Sequence, residues 1–434
     1  MRDEQEYIAT REELATREEQ LLPKIQSEHG LSRRQLLELS ASSALALPFL
    51  GGFARVASAA QRTRRTIVNG FGNPFVQDTP PDQFTILGTN AEMRWDAAKG
   101  LPYTIPNDRF FIRDHTASPV LDVSNWTLKV FGTGLEGAPD VSHPVQFTYQ
   151  DLLQMPARTI TCYVECAGNG RSLYGSQQGT PAAGSQWHLG GIGVADWTGV
   201  PLSSVLKRAG INKSAVDVMP SGLDPEFISG GVNSGHVRRP MSVEKAMDDV
   251  ILAYQMNGEA LPFDHGFPLR AIVPGWIGIA SIKWVGQIEV SRSPLFSLWN
   301  TAQYVFTGGS YPPGQPPLTT QVMKSAFELA LGASLPVGEQ QVLTGRSWSP
   351  SAGIRTVEIS TDDGATWTEA SHTQPNIAQA WTQWSFPWTP MTSGKYNLMA
   401  RATDKKKNVQ PSTSPFNTGG YLFGAVVKHP VTVS

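Results

Sequence analysis

Beyond the first hundred residues, apolar and polar positions follow one another in short runs with few long helical periods. Thr159-Ile-Thr-Cys-Tyr-Val-Glu165 is β-branched and aromatic and holds neither Pro nor Gly, which predicts a strand. It breaks at a tight loop, Ala167-Gly168-Asn169-Gly170. Val123 to Phe131 and Gln287 to Val290 predict further strands. Val250 to Met256 predicts another that enters an Asn257-Gly258 turn, a strong short-range hairpin signal. Helical periodicity is confined to Phe147–Leu153 and to Val200–Gly210, the latter closed by its Gly. Gly179 to Gly193 is too rich in Gly and small residues for regular structure.

Pro312-Pro-Gly-Gln-Pro-Pro317 has the composition of a linker. Past it, strand-like runs recur with turn signals between them: Gln341–Ser347, Ile354–Ser360, Trp381–Phe386 and Tyr396–Thr403. Thr361-Asp-Asp-Gly-Ala-Thr-Trp367 predicts an Asp-Gly hairpin. This spacing predicts a β-sandwich over 319–434. Trp348, Trp367 and Trp384 are expected in its core.

Composition agrees with a globular chain of about two domains, with 40% apolar and 17% charged residues. A net charge of −2 offers no argument for nucleic acid as a partner. The N-terminus changes the picture more. Residues 1–30 are polar and acidic; Ser32-Arg33-Arg34 then precedes a mildly apolar run to about Phe53, and Ala57-Ser58-Ala59 supplies small residues for cleavage. This reads as a twin-arginine export signal over 1–59, with the mature chain starting near Ala60 outside the cytoplasmic membrane. The apolar run is too short to span a bilayer.

The candidate chemistry centres on Cys166, the last residue before the Gly-bearing loop. A thiolate at a strand end is a soft ligand suited to a transition metal. Cys162 and Cys166 are the only cysteines. On one extended strand their Cα atoms lie roughly 13 Å apart, beyond the about 7 Å a disulfide tolerates. Both also suit small buried strand positions, and the residues alone leave that reading open. Asp108-Arg-Phe-Phe-Ile-Arg-Asp-His115 alternates so that Phe111, Arg113 and His115 share a face. His265, Arg270 and Lys283 surround small-residue loops, where Gly275 and Gly278 allow backbone NH groups close to an anion.

The run Cys166-Ala-Gly-Asn-x-Arg171 resembles the molybdenum-ligating signature of the sulfite oxidase family of molybdopterin enzymes, and further matches extend over residues 85–430. The resemblance implies an α+β architecture: a mixed α/β molybdopterin-binding domain over 75–315, then an immunoglobulin-like dimerisation domain over 319–434. It implies molybdenum on a single pyranopterin dithiolene, with Cys166 as the protein's thiolate ligand. Arg113, Arg171, Tyr304 and Trp187 would surround the substrate. His115, Asp224, His265, Arg270, Gly275, Ser281 and Lys283 would hold the pterin and its phosphate; Asp-His-Gly-Phe-Pro-x-Arg270 and Ile282-Lys-Trp284 carry much of that likeness. Twin-arginine export, which moves folded proteins, suits a cofactor acquired before export.

Such a pocket suits a small oxyanion. The expectation is oxygen-atom transfer that oxidises sulfite to sulfate, in a homodimer without a membrane span. The chain has no Cys-x-x-Cys-His haem motif, so electrons would pass to a separate acceptor such as a c-type cytochrome. An S-oxide or other oxyanion reductase of the same family, or a secreted binding protein that has lost the cofactor, are the alternatives. One departure bears on the substrate. Sulfite-oxidising members carry an arginine from the C-terminal domain where this chain reads Phe416-Asn-Thr-Gly-Gly-Tyr421. His236, Arg238 or Arg239 is expected to supply the missing charge.

Overall fold

A computed structural model describes residue 72 and residues 74–434 apart from 374. The twin-arginine segment with Arg33 and Arg34 lies outside the described residues. The chain forms an α/β body to about residue 301, followed by a two-sheet β-sandwich from Lys324 to Val433. Short helices in the first body connect strands and do not form a layer of their own.

Two five-stranded sheets organise the first body. One has the order Met241–Ser242, Asp217–Gly222, Val285–Ser291, Thr127–Phe131, Val145–Thr148. Val285–Ser291 runs parallel to Thr127–Phe131 and antiparallel to Asp217–Gly222. The other places Arg158–Glu165 at one edge, then Ile192–Pro201 and Ile251–Met256, with Arg270–Ile272 pairing the last. The expected cysteine strand is thus Arg158–Glu165, paired antiparallel to Ile192–Pro201 along its length with Cys162 opposite Ala195. Between the sheets lies a core of Leu128, Val200, Leu206, Leu252, Ile288 and their neighbours.

Local rules account for most connections. Asn257 and Gly258 have φ of 53° and 81°, the left-handed pair that joins Ile251–Met256 to Glu259–Ala260. Asp363 and Gly364 do the same, at 58° and 89°, between Ile354–Ser360 and Thr368–Glu369. Thr148 and Asp151 form a reciprocal cap on helix Tyr149–Leu153. The run expected as a strand from Val123 is regular only over Thr127–Phe131, because Asp122 gathers the Ser124 backbone and hydroxyl into a turn first. The strand at Ile112–Arg113 is only two residues long, so the expected alternation fails upstream: Phe110 and Phe111 are both buried, their rings 5.3 Å apart.

The sandwich stacks Lys324–Phe327, Gln341–Trp348 and Trp381–Trp388 against Lys428–Val433, Gly394–Asp404 and Ile354–Ser360. Leu343, Trp384, Val357, Leu398 and Val431 fill the space between them. Trp348 and Trp381 face the first body instead. Trp348 stacks on Trp95 at 6.0 Å, and Tyr103 donates to the Trp381 carbonyl at 2.6 Å. Trp367 is not core: it lies half-buried with the Arg401 guanidinium 4.2 Å over its ring. Nor is the Pro-rich stretch a free spacer. Pro317 bridges Val305, Thr320 bridges Trp276, and Ile277 donates to the Thr319 carbonyl at 2.7 Å. The connection is laid along the wall of the first body.

Gly199 shows how closely these strands approach: a Cβ there would lie 2.0 Å from the Leu252 carbonyl oxygen. Gly199→Ala is expected to destabilise the protein by about 3 kcal/mol, since backbone must move to admit the methyl. Chemical denaturation checks it; an unchanged midpoint would contradict the packing.

Candidate active site and cofactor pocket

Cys166 follows the last residue of its strand, and a tight turn then takes the chain away. Asn169 donates to the Cys166 carbonyl and Arg171 to the Gly168 carbonyl, each at 2.9 Å. The Gly168 N–H donates to Cys166 Sγ at 3.4 Å, so the sulfur already accepts a hydrogen bond from its own loop. Gly170, at φ 93°, passes under Phe423, where a Cβ would come within 3.2 Å of the ring-bearing carbon. The thiol looks into a pocket of about 690 Å³, mouth included. Cys162 is a free, buried strand residue whose thiol burial pushes up to about 12.

Around the thiol the pocket gathers Arg113, His115 and Tyr304. Arg113 Nη1 donates to the Asp114 carbonyl at 2.7 Å. Its Nη2 lies 2.7 Å from His115 Nε2 and 3.5 Å from the Tyr304 hydroxyl. A guanidinium can only donate, so His115 Nε2 accepts and the ring proton sits on Nδ1. Burial first, and the Arg113 charge second, push His115 well below the usual histidine range, so the ring is neutral. Burial works against the Arg113 charge, but its acidic neighbours, Tyr304 first among them, outweigh that and hold it above its ordinary value. Tyr304 occupies left-handed backbone at φ 56°, fixed by Leu318 N–H donating to its carbonyl at 2.8 Å. Strained backbone at a pocket wall is one way to aim a side chain. Burial raises its phenol, which therefore stays protonated.

The inner end holds His265, Arg270, Ser281 and Lys283, with Asp224 on another wall. His265 meets Gln77 Oε1 at 3.0 Å and the Asn107 carbonyl at 3.2 Å; burial and Arg270 bring it down to about 3, so it too is neutral. Arg270 donates from Nη1 to the His265 carbonyl at 3.1 Å, while its Nε is buried with no hydrogen-bond partner. Lys283 donates to the Asp114 carboxylate and, at 2.7 Å, to the Asp264 carbonyl. Burial and then the Arg113 charge pull its ammonium well below lysine's ordinary value, while those two acceptors hold it. Ser281 Oγ accepts from the Val273 N–H at 3.2 Å. Asp224 accepts the Val237 N–H with both oxygens, at 3.3 and 3.1 Å, and burial raises its carboxyl to about 6.

Three expected site residues stand outside the lining. Arg171 spends Nε on the Gly419 carbonyl and Nη1 on the Ser185 carbonyl, each at 2.8 Å, with its guanidinium 5.4 Å over Tyr421. Trp187 is buried edge-on against Phe111 at 6.1 Å. Gly275 turns towards the sandwich, where a Cβ would lie 2.5 Å from the Pro350 carbonyl oxygen. None of His236, Arg238 and Arg239, expected to supply the missing cation, lines the pocket. Arg239 is buried, donating to the carbonyls of Trp299 and Leu318; Arg238 is exposed; His236 Nδ1 is bound to the Asp224 carbonyl. The structure adds two residues: Asp114, which pairs Lys283, and Tyr421, stacked on Tyr304 at 5.2 Å. Asp114 was open to notice inside Arg113-Asp-His115; nothing local marks Tyr421.

The donor set fits a pterin-bound metal. It offers a thiol, an orphaned guanidinium Nε and cationic groups for an anionic tail, and the Asp224 carboxylate, with acceptor capacity left, for ring N–H groups. A thiol and a polar cradle facing one pocket suit a cofactor that carries both a soft metal and an anionic tail. The chain matches the family described as oxidoreductase molybdopterin binding domain over residues 115–299, and the Mo-co oxidoreductase dimerisation domain over 329–433. It is 31% identical to the sulfite oxidase of Gallus gallus over 74% of this chain and 71% of that protein. It is also 31% identical to the mitochondrial sulfite oxidase of Rattus norvegicus over 72% of this chain, but spans only 58% of that relative's length. The sulfane dehydrogenase SoxCD of Paracoccus pantotrophus superposes with a TM-score of 0.65 at 26% identity, covering 86% of this chain and 92% of that one. The chain belongs to the sulfite oxidase family of molybdopterin oxidoreductases, and its molybdopterin-binding domain implies a molybdenum–pterin cofactor.

Asp224 gives a test of the pocket without the cofactor. Its folded value lies above the ordinary 3.8, so the native state binds the extra proton between about pH 4 and 6 and stability falls as pH rises through that window. Asp224→Asn is expected to remove that slope and to stabilise cofactor-free protein at pH 7 by about 2–3 kcal/mol. Denaturation at pH 4 and 7 checks it; equal effects at both would contradict the assignment.

Proposed function

We propose that this protein oxidises sulfite to sulfate by molybdenum-dependent oxygen-atom transfer and passes the two electrons to a separate acceptor such as a c-type cytochrome. The observation that carries the reading is the meeting of the Cys166 thiol, the Arg113 guanidinium and the Tyr304 hydroxyl in one pocket. Cys166 would hold the metal beside the two sulfurs of a single dithiolene; His265, Arg270, Ser281 and Lys283 would hold the pterin and its phosphate, and Asp224 its ring N–H groups. When bound, that group supplies the two-electron chemistry.

The chain's own part is charge and orientation. Arg113 is permanently cationic and can give paired N–H donors to an oxyanion. His115, held neutral, accepts from Arg113 and fixes the plane of the guanidinium. Tyr304 is protonated and can donate to a second substrate oxygen. Aromatic walls from Phe110, Phe111 and Trp284 lower the local dielectric and strengthen these contacts. Water enters as co-substrate: sulfite plus water yields sulfate, two protons and two electrons.

A second reading has its own support. Of the two arginines expected around substrate, Arg113 lines the pocket, while Arg171 bonds two carbonyls and does not. A neutral S-oxide, with one oxygen to hold, needs no more than that. Family membership speaks against a binding protein that has lost its cofactor. The homodimer is part of the proposal, supported by the dimerisation-domain match; among the described residues no helix is long and apolar enough to cross a membrane. Twin-arginine export to the periplasm rests on the sequence at Arg33 and Arg34.

Steady-state turnover of sulfite with cytochrome c is expected, with turnover of a sulfoxide by reduced viologen much slower; the reverse order would favour the reductase. Arg113→Ala is expected to lower kcat/KM for sulfite by about a hundredfold, near 2.7 kcal/mol. A change below threefold would remove Arg113 from substrate binding. N-terminal sequencing of exported protein is expected to begin near Ala60, and material beginning at Met1 would contradict the export route.

A further inference from the structure

Directly beneath the Cys166 turn lies a buried ion pair that the proposed chemistry does not use. Glu165 is fully buried and Lys324 is 1% exposed. Lys324, at the start of the first sandwich strand, donates to Glu165 Oε1 at 2.6 Å and to the Asn169 carbonyl at 2.8 Å. Asn169 Nδ2 donates to the same carboxylate oxygen at 2.9 Å, and its Oδ1 accepts the Gly191 N–H at 3.0 Å. Trp348 Nε1 donates to Glu165 Oε2 at 3.0 Å, and Gln321 Nε2 to the Glu165 carbonyl at 2.8 Å. Three residues of the 321–348 segment thus grip the residue before Cys166, and one of them also grips the far end of its turn.

We propose that Lys324 is a positioning residue: from the C-terminal sandwich it ties Glu165 to Asn169 and so sets where the Cys166 thiol stands. A buried pair is a poor device for stability alone, because desolvating both charges offsets most of their attraction and an apolar pair would serve as well. Its geometry serves placement. One ammonium spans both ends of a four-residue turn, and at 1% exposure its donors are shielded from solvent. The metal ligand therefore takes its final position only when the sandwich is docked. A second pair, Arg346–Glu328, makes the contrast. It is also deeply buried but lies within the sandwich, and Arg346 reaches the first body at the carbonyls of Leu101 and Pro102, away from the turn.

The proposal rests on Cys166 being the metal ligand, and its test uses readouts that stand apart from that. The double variant Glu165→Gln/Lys324→Met removes both charges and leaves no lone buried ion; Glu328→Gln/Arg346→Met is the matched control. In cofactor-free protein, iodoacetamide is expected to alkylate Cys166 about tenfold faster in the first variant than in the second at equal melting temperature, as expected when charge-assisted hydrogen bonds holding the turn are lost. Molybdenum per chain is expected to fall at least fivefold in the first relative to the second. Equal alkylation in the two variants would overturn the proposal. If the double variant does not fold, hydrogen exchange in the wild type decides: amides of 166–171 are expected to open together with those of 321–326 as denaturant rises, and independent opening would overturn it. Wild-type protein without molybdenum would refute the ligand role of Cys166 and leave the exchange result to stand or fall by itself.

Discussion

The site depends on one sulfur held still at the end of a buried strand with a guanidinium beside it. Cys166 is placed by pairing of its strand along Ile192–Gly199 and by a turn whose N–H groups close on its carbonyl and its sulfur. Arg113 reaches the same point from a different sheet, and its charge dictates the state of its neighbours. It fixes the tautomer of His115, helps to keep that ring neutral and bears on Tyr304 and Lys283. With several ionisable groups in a low-dielectric pocket, one fixed cation decides which others carry charge.

The two bodies share this site more than a loose pair of domains would. Tyr421 and the Gly419 carbonyl come from the C-terminal body and meet Tyr304 and Arg171. Lys324, Trp348 and Gln321 meet Glu165. The connecting stretch at 317–320 lies along Trp276 and Ile277, and Leu318 fixes the strained Tyr304 backbone. The sandwich is therefore part of the pocket's scaffold, whatever it also does between copies of the chain.

Much of this was legible in the sequence, because the local signals were strong. The cysteine strand, the Asn257-Gly258 hairpin and the sandwich strands follow from β-branched runs and turn residues whose backbone needs are specific. Cys166, Arg113, His115, Tyr304 and the His265–Lys283 group were named before the fold, and all line one pocket. Other residues stand outside the pocket lining, because side-chain direction there depends on contacts far along the chain. Arg171 sits in the motif, yet carbonyls 14 and 248 residues away claim it. Arg239 stands in a basic cluster, yet it turns inward to the carbonyls of Trp299 and Leu318. Lys324 and Tyr421 had no local mark, since their importance comes only from docking of one body on the other.

The most direct measurement is sulfur coordination at molybdenum by X-ray absorption in purified protein, wild type against Cys166→Ser. The account expects metal in the wild type with one more sulfur neighbour than in the variant. Metal with the same number of sulfur neighbours in both would contradict it.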